Sequence, residues 1–591
     1  MKNIIKLLAL LPLFATMACD DLFEPAIENN RDLDAMYSDA DYALGVLGNG
    51  YILLPYNTSP TSDVATDDAV SNDNSNTWRA MATGAWTAQN DPASQWKNCY
   101  NAIQYLNLFL ERVESVPFAM ETNIQTLFVD SYSGEAYGLR AVYMYYLLRA
   151  HGGIGTDGQL LGVPIKTASE SPESDFSQPR DTYAACIEQI LSDCDKAIEL
   201  LPLDYKDGHT ESEIPQKYLD LGINTDQYDR VNGVYRAGRI SGRIVEAIRA
   251  QVTLMAASPA FAESGITWEE AANSAGTVLQ RIDGINGIDA DGYTWYCNTS
   301  EIEGLGNGSN PQEIIWRAGY SDDNTLEGDN FPPSLYGNGR VNPTQNLVDA
   351  FPMANGYPID NSKSEYDASN PYENRDPRLA TYIITNGSTA GSATITTGSY
   401  GTNNDAINRE SGHSTRTGYY MRKHLRFDCN LDPNYNTKQR HYSARIRYTE
   451  IFLDYAEAAN EAWGPKGTGS FGFSAYDVIK AIRTRAGVGV DNGDPYLEAC
   501  ANSQDQMREL IRNERRLELC FENIRFYDLR RWNADLTEAA QGVNISRGSG
   551  GRLTYTPIQE VEERNYRPYM NYGPIPYNDV LNFGFIQNQG W

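Results

Sequence analysis

The sequence predicts a mainly α protein: a scaffold of paired, tetratricopeptide-like helices, with long decorating loops and a few short strands. Three observations carry this. Several long segments repeat apolar residues at i, i+3, i+4 and i+7, the spacing of one helix face. The alanine-rich ones come in consecutive pairs, and small residues let paired helices approach closely. Between them run stretches rich in Gly, Asn, Asp, Ser and Thr, which favour turns and irregular backbone.

Residues 1–18 read as a secretory signal: Lys2 and Lys6 precede the apolar run 7–14, and small or uncharged residues follow. Cys19 stands at the cleavage boundary, where a bacterial lipoprotein is acylated, although Thr16 replaces the usual leucine. Each buried lipid methylene contributes about 0.8 kcal/mol, so several acyl chains would hold residues 19–591 on a membrane. A soluble secreted protein with an incidental cysteine is the alternative. Helices are expected at 99–113, 135–150, 181–201, 241–257, 268–282, 448–463, 476–486 and 506–532. The clearest is 181–201, where Tyr183, Ile187, Ile190, Leu191, Cys194, Ile198 and Leu201 form one stripe that Pro202 ends. Short strands fit 313–316 and 419–424. The long loops are 56–76, 287–310, 321–342 and 386–418, and such lengths are usually functional or disordered.

After the signal no segment is apolar for long enough to span a bilayer. The chain carries 78 acidic against 48 basic residues, a formal charge of −30, which would repel a phosphate backbone and argues against nucleic acid. Besides Cys19 there are seven cysteines with no C-x-x-C spacing, so neither a disulfide framework nor a zinc site is expected. Five histidines form no H-E-x-x-H, and no G-x-S-x-G is present, so no hydrolase motif stands out. The charges of 514–532 (Glu514 with Glu518, Glu522 with Arg525, Asp528 with Arg531) read as a partly buried ion network joining helices.

Binding a sugar needs flat apolar faces together with planar polar groups. Loop aromatics meet the first need: Trp78, Trp86, Tyr293, Trp295, Tyr296, Tyr320 and Tyr336. Asn72, Asp73 and Asn74 could supply hydrogen bonds. Trp316, Trp463 and Trp532 read as core. Asp283, Asn286, Asp289 and Asp291 offer hard oxygen ligands for a structural Ca²⁺, with a polar turn as the plainer reading; no other cofactor is expected.

A set of blocks resembles the SusD/RagB family of outer-membrane nutrient-binding lipoproteins. Residues 343–353 (PTQNLVDAFPM) are similar to its "PTQ-L-D-F-M" block, and Arg375-Asp376-Pro377-Arg378 to its "RDPR". YAEAANE at 455–461 resembles "YAEA-NE", and IRTRAG at 482–487 resembles "IR-RAG". IRNERRLEL at 511–519 and RFYDLRRW at 525–532 resemble the final helix signature; Pro574-Ile575-Pro576 and the terminal QNQGW also fit, with Gln589 where proline is commoner. The blocks keep family order. Asp20 and Asp21 after Cys19 resemble the surface-export signal of Bacteroidota lipoproteins.

The resemblance implies one SusD-like domain over 19–591, with most helix pairs in 19–310 and the RagB/SusD region in 311–591. It implies glycan binding without catalysis, a SusC-like TonB-dependent transporter as partner, and an outer-membrane, lipid-anchored location facing the cell exterior. A peptide-binding member of the family and a helical-repeat interaction scaffold are the alternatives; a surface enzyme stands last.

Overall fold

The computed structural model of the protein describes residues 38–56, 59–306 and 308–591; Cys19, Asp20, Asp21 and segment 1–18 lie outside them. The architecture is mainly helical, and long helices stack in chain order. Ala40–Ile52 packs on Trp96–Leu110, which packs on Thr122–His151; Tyr183–Leu200, Gly242–Ala257 and Trp268–Gln280 follow. Next comes Tyr448–Trp463, which also packs against Ala475–Arg485 and Gln504–Leu519. The stack therefore skips residues 281–447, an excursion of turns, short helices and strands laid against it. A shared core of aliphatic and tyrosine side chains runs through the stack, and a second core lies under the excursion.

Local sequence sets the helix ends. Thr182 accepts the Ala185 N–H, and the Thr267/Glu270 and Ser474/Asp477 pairs form capping boxes. Neighbouring helices meet closely at small residues: a Cβ at Gly138 would lie 3.0 Å from Ile240 Cδ1 and from Val245 Cγ2.

Three helical expectations need correction. The helix expected at 135–150 begins at Thr122 and is buried on almost every side from Leu139 to Leu148, so it shows no single stripe to follow backwards. The helix expected at 99–113 runs Trp96–Leu110. The one expected at 506–532 is two, Gln504–Leu519 and Arg525–Arg531. Between them Phe521 and Asn523 adopt φ of 64° and 61°, and the buried Asp63 carboxylate accepts both of their N–H groups at 3.0 Å. A contact from far along the chain thus overrides local helical preference.

The strands form two-stranded ladders only, among the described residues. Ala444–Arg447 runs antiparallel to Ile314–Arg317, with Ile446 opposite Trp316. Tyr420–Met421 is shorter than expected. Segment 56–76 is no solvated loop: it holds a buried turn at Ser62–Ala65 and the strand Ala69–Ser71, which pairs with Val341–Pro343. The hairpin Ala540–Arg547/Leu553–Glu562 was not anticipated.

The charged blocks form buried ion clusters. Arg378 meets Asp376, Glu514 and Glu518 at 2.7, 2.8 and 3.0 Å, and Arg483 meets Glu514 and Asp494 at 2.6 Å. Arg515 joins Asp454 to Asp528, and Arg531 joins Asp528 to Glu457. The expected Asp528–Arg531 pair is present at 2.8 Å. Glu522 does not pair with Arg525: it takes Arg447 and Lys423, while Arg525 pairs with Asp67. Such clusters fix how elements pack more than they add net stability. The seven described cysteines are free thiols, six of them buried.

Candidate functional site

A cavity of about 360 Å³ lies where the helical stack, the excursion and the 521–527 turn meet. Each element contributes for a local reason. The C-terminal end of Thr122–His151 brings Tyr146 and Arg149, Gly242–Ala257 brings Gln251, and the first turn of Tyr448–Trp463 brings Glu450. The Ala444–Arg447 strand supplies Arg445 and Arg447. Its pleat sends Ile446 and its neighbours to alternate sides, so the arginines face the cavity while Ile446 is core. The excursion adds Trp295, Tyr296, His424, His441 and Tyr442, and the N-terminal segment adds Tyr56 and Trp78.

The walls are aromatic and preformed. Trp295 is wedged against Tyr296, His424 and Tyr442 at ring distances of 5.9, 5.6 and 5.4 Å. Trp78 stands edge-on to Phe526 at 5.2 Å. Three residues lining the cavity carry a buried polar atom with no hydrogen-bond partner: Trp295 (Nε1, a donor), Gln251 (Oε1, an acceptor) and Tyr56 (its hydroxyl). Gln251 donates its amide to Glu450 at 2.8 Å.

Burial and the neighbouring Asp454 push the Glu450 carboxyl up towards its neutral form. Burial acts upward on Glu522 too, but Arg447 and Lys423 outweigh it and hold the carboxyl at about 2. Burial and Lys423 push His424 down to about 4, so its imidazole is neutral at physiological pH. Its ring nitrogen Nε2 then donates to the Phe521 carbonyl at 2.9 Å.

Of the aromatics singled out in the sequence, the structure brings Trp78, Trp295 and Tyr296 together at this cavity. Trp295 and Tyr296 are 4% and 6% exposed, so they offer no open stacking face. Trp86 is core: it packs against Trp591 at 4.8 Å and donates to Asp91 at 2.9 Å. Tyr293 is half-buried against the second core, and its carbonyl accepts from Tyr382. Arg440 covers Tyr320 at 4.4 Å, and Tyr336 is 59% exposed; neither lines the cavity.

The polar candidates are engaged within the protein instead. Asn72 is buried and clamps the carbonyls of Asn338 and Gly339 at 2.9 and 2.8 Å. Asp73 caps Ser75, and Asn74 accepts from Arg79. The sequence reading missed Tyr56, Tyr146, Arg149, Gln251, Tyr442 and Arg445. Four of these sit on helices or strands, where aromatic and charged residues read as core or as solvated faces.

Asp283, Asp289 and Asp291 do not converge as cation ligands: Asp283 accepts from Asn286, and Asp289 caps Asp291. Among the described residues the one set of three ligand-type side chains within 4.8 Å is Glu327, Cys429 and His441. There His441 Nε2 meets Glu327 Oε1 at 3.0 Å, a contact that a His–carboxylate ion pair explains without a metal.

Comparison with known proteins agrees with this architecture. The model of the SusD family matches residues 312–591, and a second model, described as starch-binding associating with outer membrane, matches residues 33–216. A SusD-like protein P2 of Formosa agariphila is 37% identical over 87 residues, which is 15% of this chain and 16% of that protein. Among solved structures, a SusD-like protein of Bacteroides fragilis superposes with TM-score 0.70 at 21% identity, covering 95% of this chain and all of the other. A SusD-like carbohydrate-binding protein of the same species gives 0.66 at 20% identity, covering 93% and 99%. Surface glycan-binding protein A of Bacteroides fluxus gives 0.57 at 18%, covering 94% and 100%. Two family models in order along the chain, on this helical fold, make it a member of the SusD/RagB family.

Proposed function

We propose that the chain is a cell-surface lipoprotein that binds glycan without turnover and hands it to a SusC-like, TonB-dependent transporter in the outer membrane. One observation carries the binding reading: the cavity combines aromatic walls with a buried donor and a buried acceptor, Trp295 Nε1 and Gln251 Oε1, that no protein group satisfies. Leaving such groups unpaired costs about 1–3 kcal/mol each, and a sugar hydroxyl, at once donor and acceptor, answers both. Family membership and the glycan-binding descriptions of two proteins of the same fold support the reading. So does the description of the N-terminal family model as starch-binding and outer-membrane-associated. Acylation at Cys19 would supply the anchor, since no described helix is long and apolar enough to cross a membrane.

Hydrolysis is the second reading, because Glu450 and Glu522 line one cavity with opposite ionisation preferences, the pattern of an acid and its partner. Both oxygens of Glu522 are engaged by Arg447, and one also by Lys423, so its charge is already spent on protein cations.

The test is a glycan and peptide array on the purified mature chain, followed by titration and product analysis of whatever binds. A bound oligosaccharide recovered intact, with a Kd between about 1 mM and 1 μM (roughly −4 to −8 kcal/mol), is expected. Binding to peptides alone would replace the glycan reading with the peptide one. Products formed at catalytic protein concentration would replace it with the enzyme.

A further inference from the structure

Resting on the glycan reading of the cavity, we propose that the ligand is an acidic one, whose carboxylate or sulfate group is held by Arg149 and Arg445. The two guanidiniums cap a ladder of rings on the cavity wall. Arg149 lies 4.2 Å over the Tyr146 ring and 3.8 Å over that of Tyr527. Tyr146 meets Tyr56 edge-on at 5.3 Å. Arg445 lies 5.8 Å over Tyr56 and 4.7 Å over Trp316. Stacking on rings orients a planar guanidinium and still leaves its in-plane N–H fork for an oxyanion.

What sets these two apart is the company they lack. Arginines buried elsewhere meet carboxylates or, as with Arg180, Arg317, Arg375 and Arg530, donate to backbone carbonyls. Arg378, Arg447, Arg483, Arg515 and Arg531 each meet carboxylates at 3.0 Å or less. Among the described residues Arg149 and Arg445 form no ion pair, although both line the cavity. The remaining charges there do not compensate them. Arg447 and Glu522 neutralise each other at 2.8 Å, and Glu450 is driven towards its neutral acid by burial and Asp454. The cavity wall is therefore cationic within a strongly anionic protein. Screening over about 8 Å at physiological ionic strength lets the local wall, not the net charge, decide what enters. A uronate carboxylate and a sulfate ester share the chemistry that this pair recognises: a delocalised oxyanion with several in-plane acceptors.

The experiment titrates the mature chain with matched oligosaccharides: uronic-acid oligomers against their carboxyl-reduced forms, and sulfated galactan oligomers against their desulfated forms. At least one acidic member should bind about tenfold or more tighter than its neutral counterpart, and raising salt should weaken it. The uronate and sulfate arms identify which group is read. Arg149→Gln and Arg445→Gln should each erase most of that preference; circular dichroism and Tm establish that each variant is folded. Should a variant not fold, the wild-type preference and its salt dependence carry the test. Equal affinity for acidic and neutral members would overturn the acidic-ligand inference and leave glycan binding standing. An acidic preference that survives both substitutions would overturn the assignment to these arginines. Failure of every glycan to bind would overturn both readings together.

Discussion

Glu514 sits where three charged blocks of the sequence meet, and its removal tests whether the ion cluster holds them. Its side chain is fully buried and accepts from Arg378 at 2.8 Å and Arg483 at 2.6 Å. Glu514→Ala leaves Arg378 with Asp376 and Glu518, and Arg483 with Asp494, so neither arginine is stranded outright. Breaking a buried pair costs about 3–5 kcal/mol, and the surviving partners place this case near 3. One lost methylene adds about 0.8 kcal/mol, for a total near 4. Glu514→Gln keeps the volume and one acceptor, so about 2–3 kcal/mol is expected. Glu509, on the same helix but with its side chain 75% exposed, is the control: Glu509→Ala should change stability by less than about 0.5 kcal/mol. Urea denaturation followed by far-ultraviolet circular dichroism measures all three. A Glu514→Ala variant as stable as the Glu509→Ala control would refute the reasoning.

Three further outcomes are expected. Burial holds His151 at about 4, with Nδ1 donating to Pro574 O and Nε2 accepting from Gln95 N–H. Its folded pKa lies below the unfolded 6.5, so its contribution is complete above that pH and is lost as pH falls towards 4; the stability difference between wild type and His151→Gln should shrink by about 2 kcal/mol between pH 7.5 and pH 5. Trp86→Ala should lower Tm sharply, losing about 3–5 kcal/mol, while any folded fraction keeps its ligand affinity; intact stability with lost binding would make Trp86 a ligand contact after all. Cys19→Ala should leave the membrane fraction in a strain lacking the partner transporter, and a variant that stays membrane-bound there would refute lipid anchoring at Cys19.

How far the sequence led depends on how local the cause was. Helices with one apolar stripe and a good cap, such as Tyr183–Leu200 and Trp268–Gln280, are legible to within two residues. Thr122–His151 is not, because a helix buried all round has no polar face to mark its phase. The break at 520–524 is invisible locally, since it depends on Asp63. The hairpin Ala540–Arg547/Leu553–Glu562 is marked only by its Gly550-Gly551 turn and an alternation interrupted by Pro557. Of the loop aromatics that composition singled out, Trp78, Trp295 and Tyr296 line the cavity. Composition could not separate Trp86, which differs from Trp78 in nothing but its three-dimensional neighbours. It also had no means to find Arg149 or Gln251, each an ordinary polar residue on a helix until the excursion is laid across it.

The central claim is that the cavity between Trp78, Gln251 and Trp295 takes a sugar, and a crystal structure of the mature chain soaked with its array-selected oligosaccharide tests it most directly. Sugar density should lie within that cavity, with one hydroxyl within about 3 Å of Trp295 Nε1 and another within about 3 Å of Gln251 Oε1. Sugar density bound on another face, with those two atoms still unpartnered, would contradict the account.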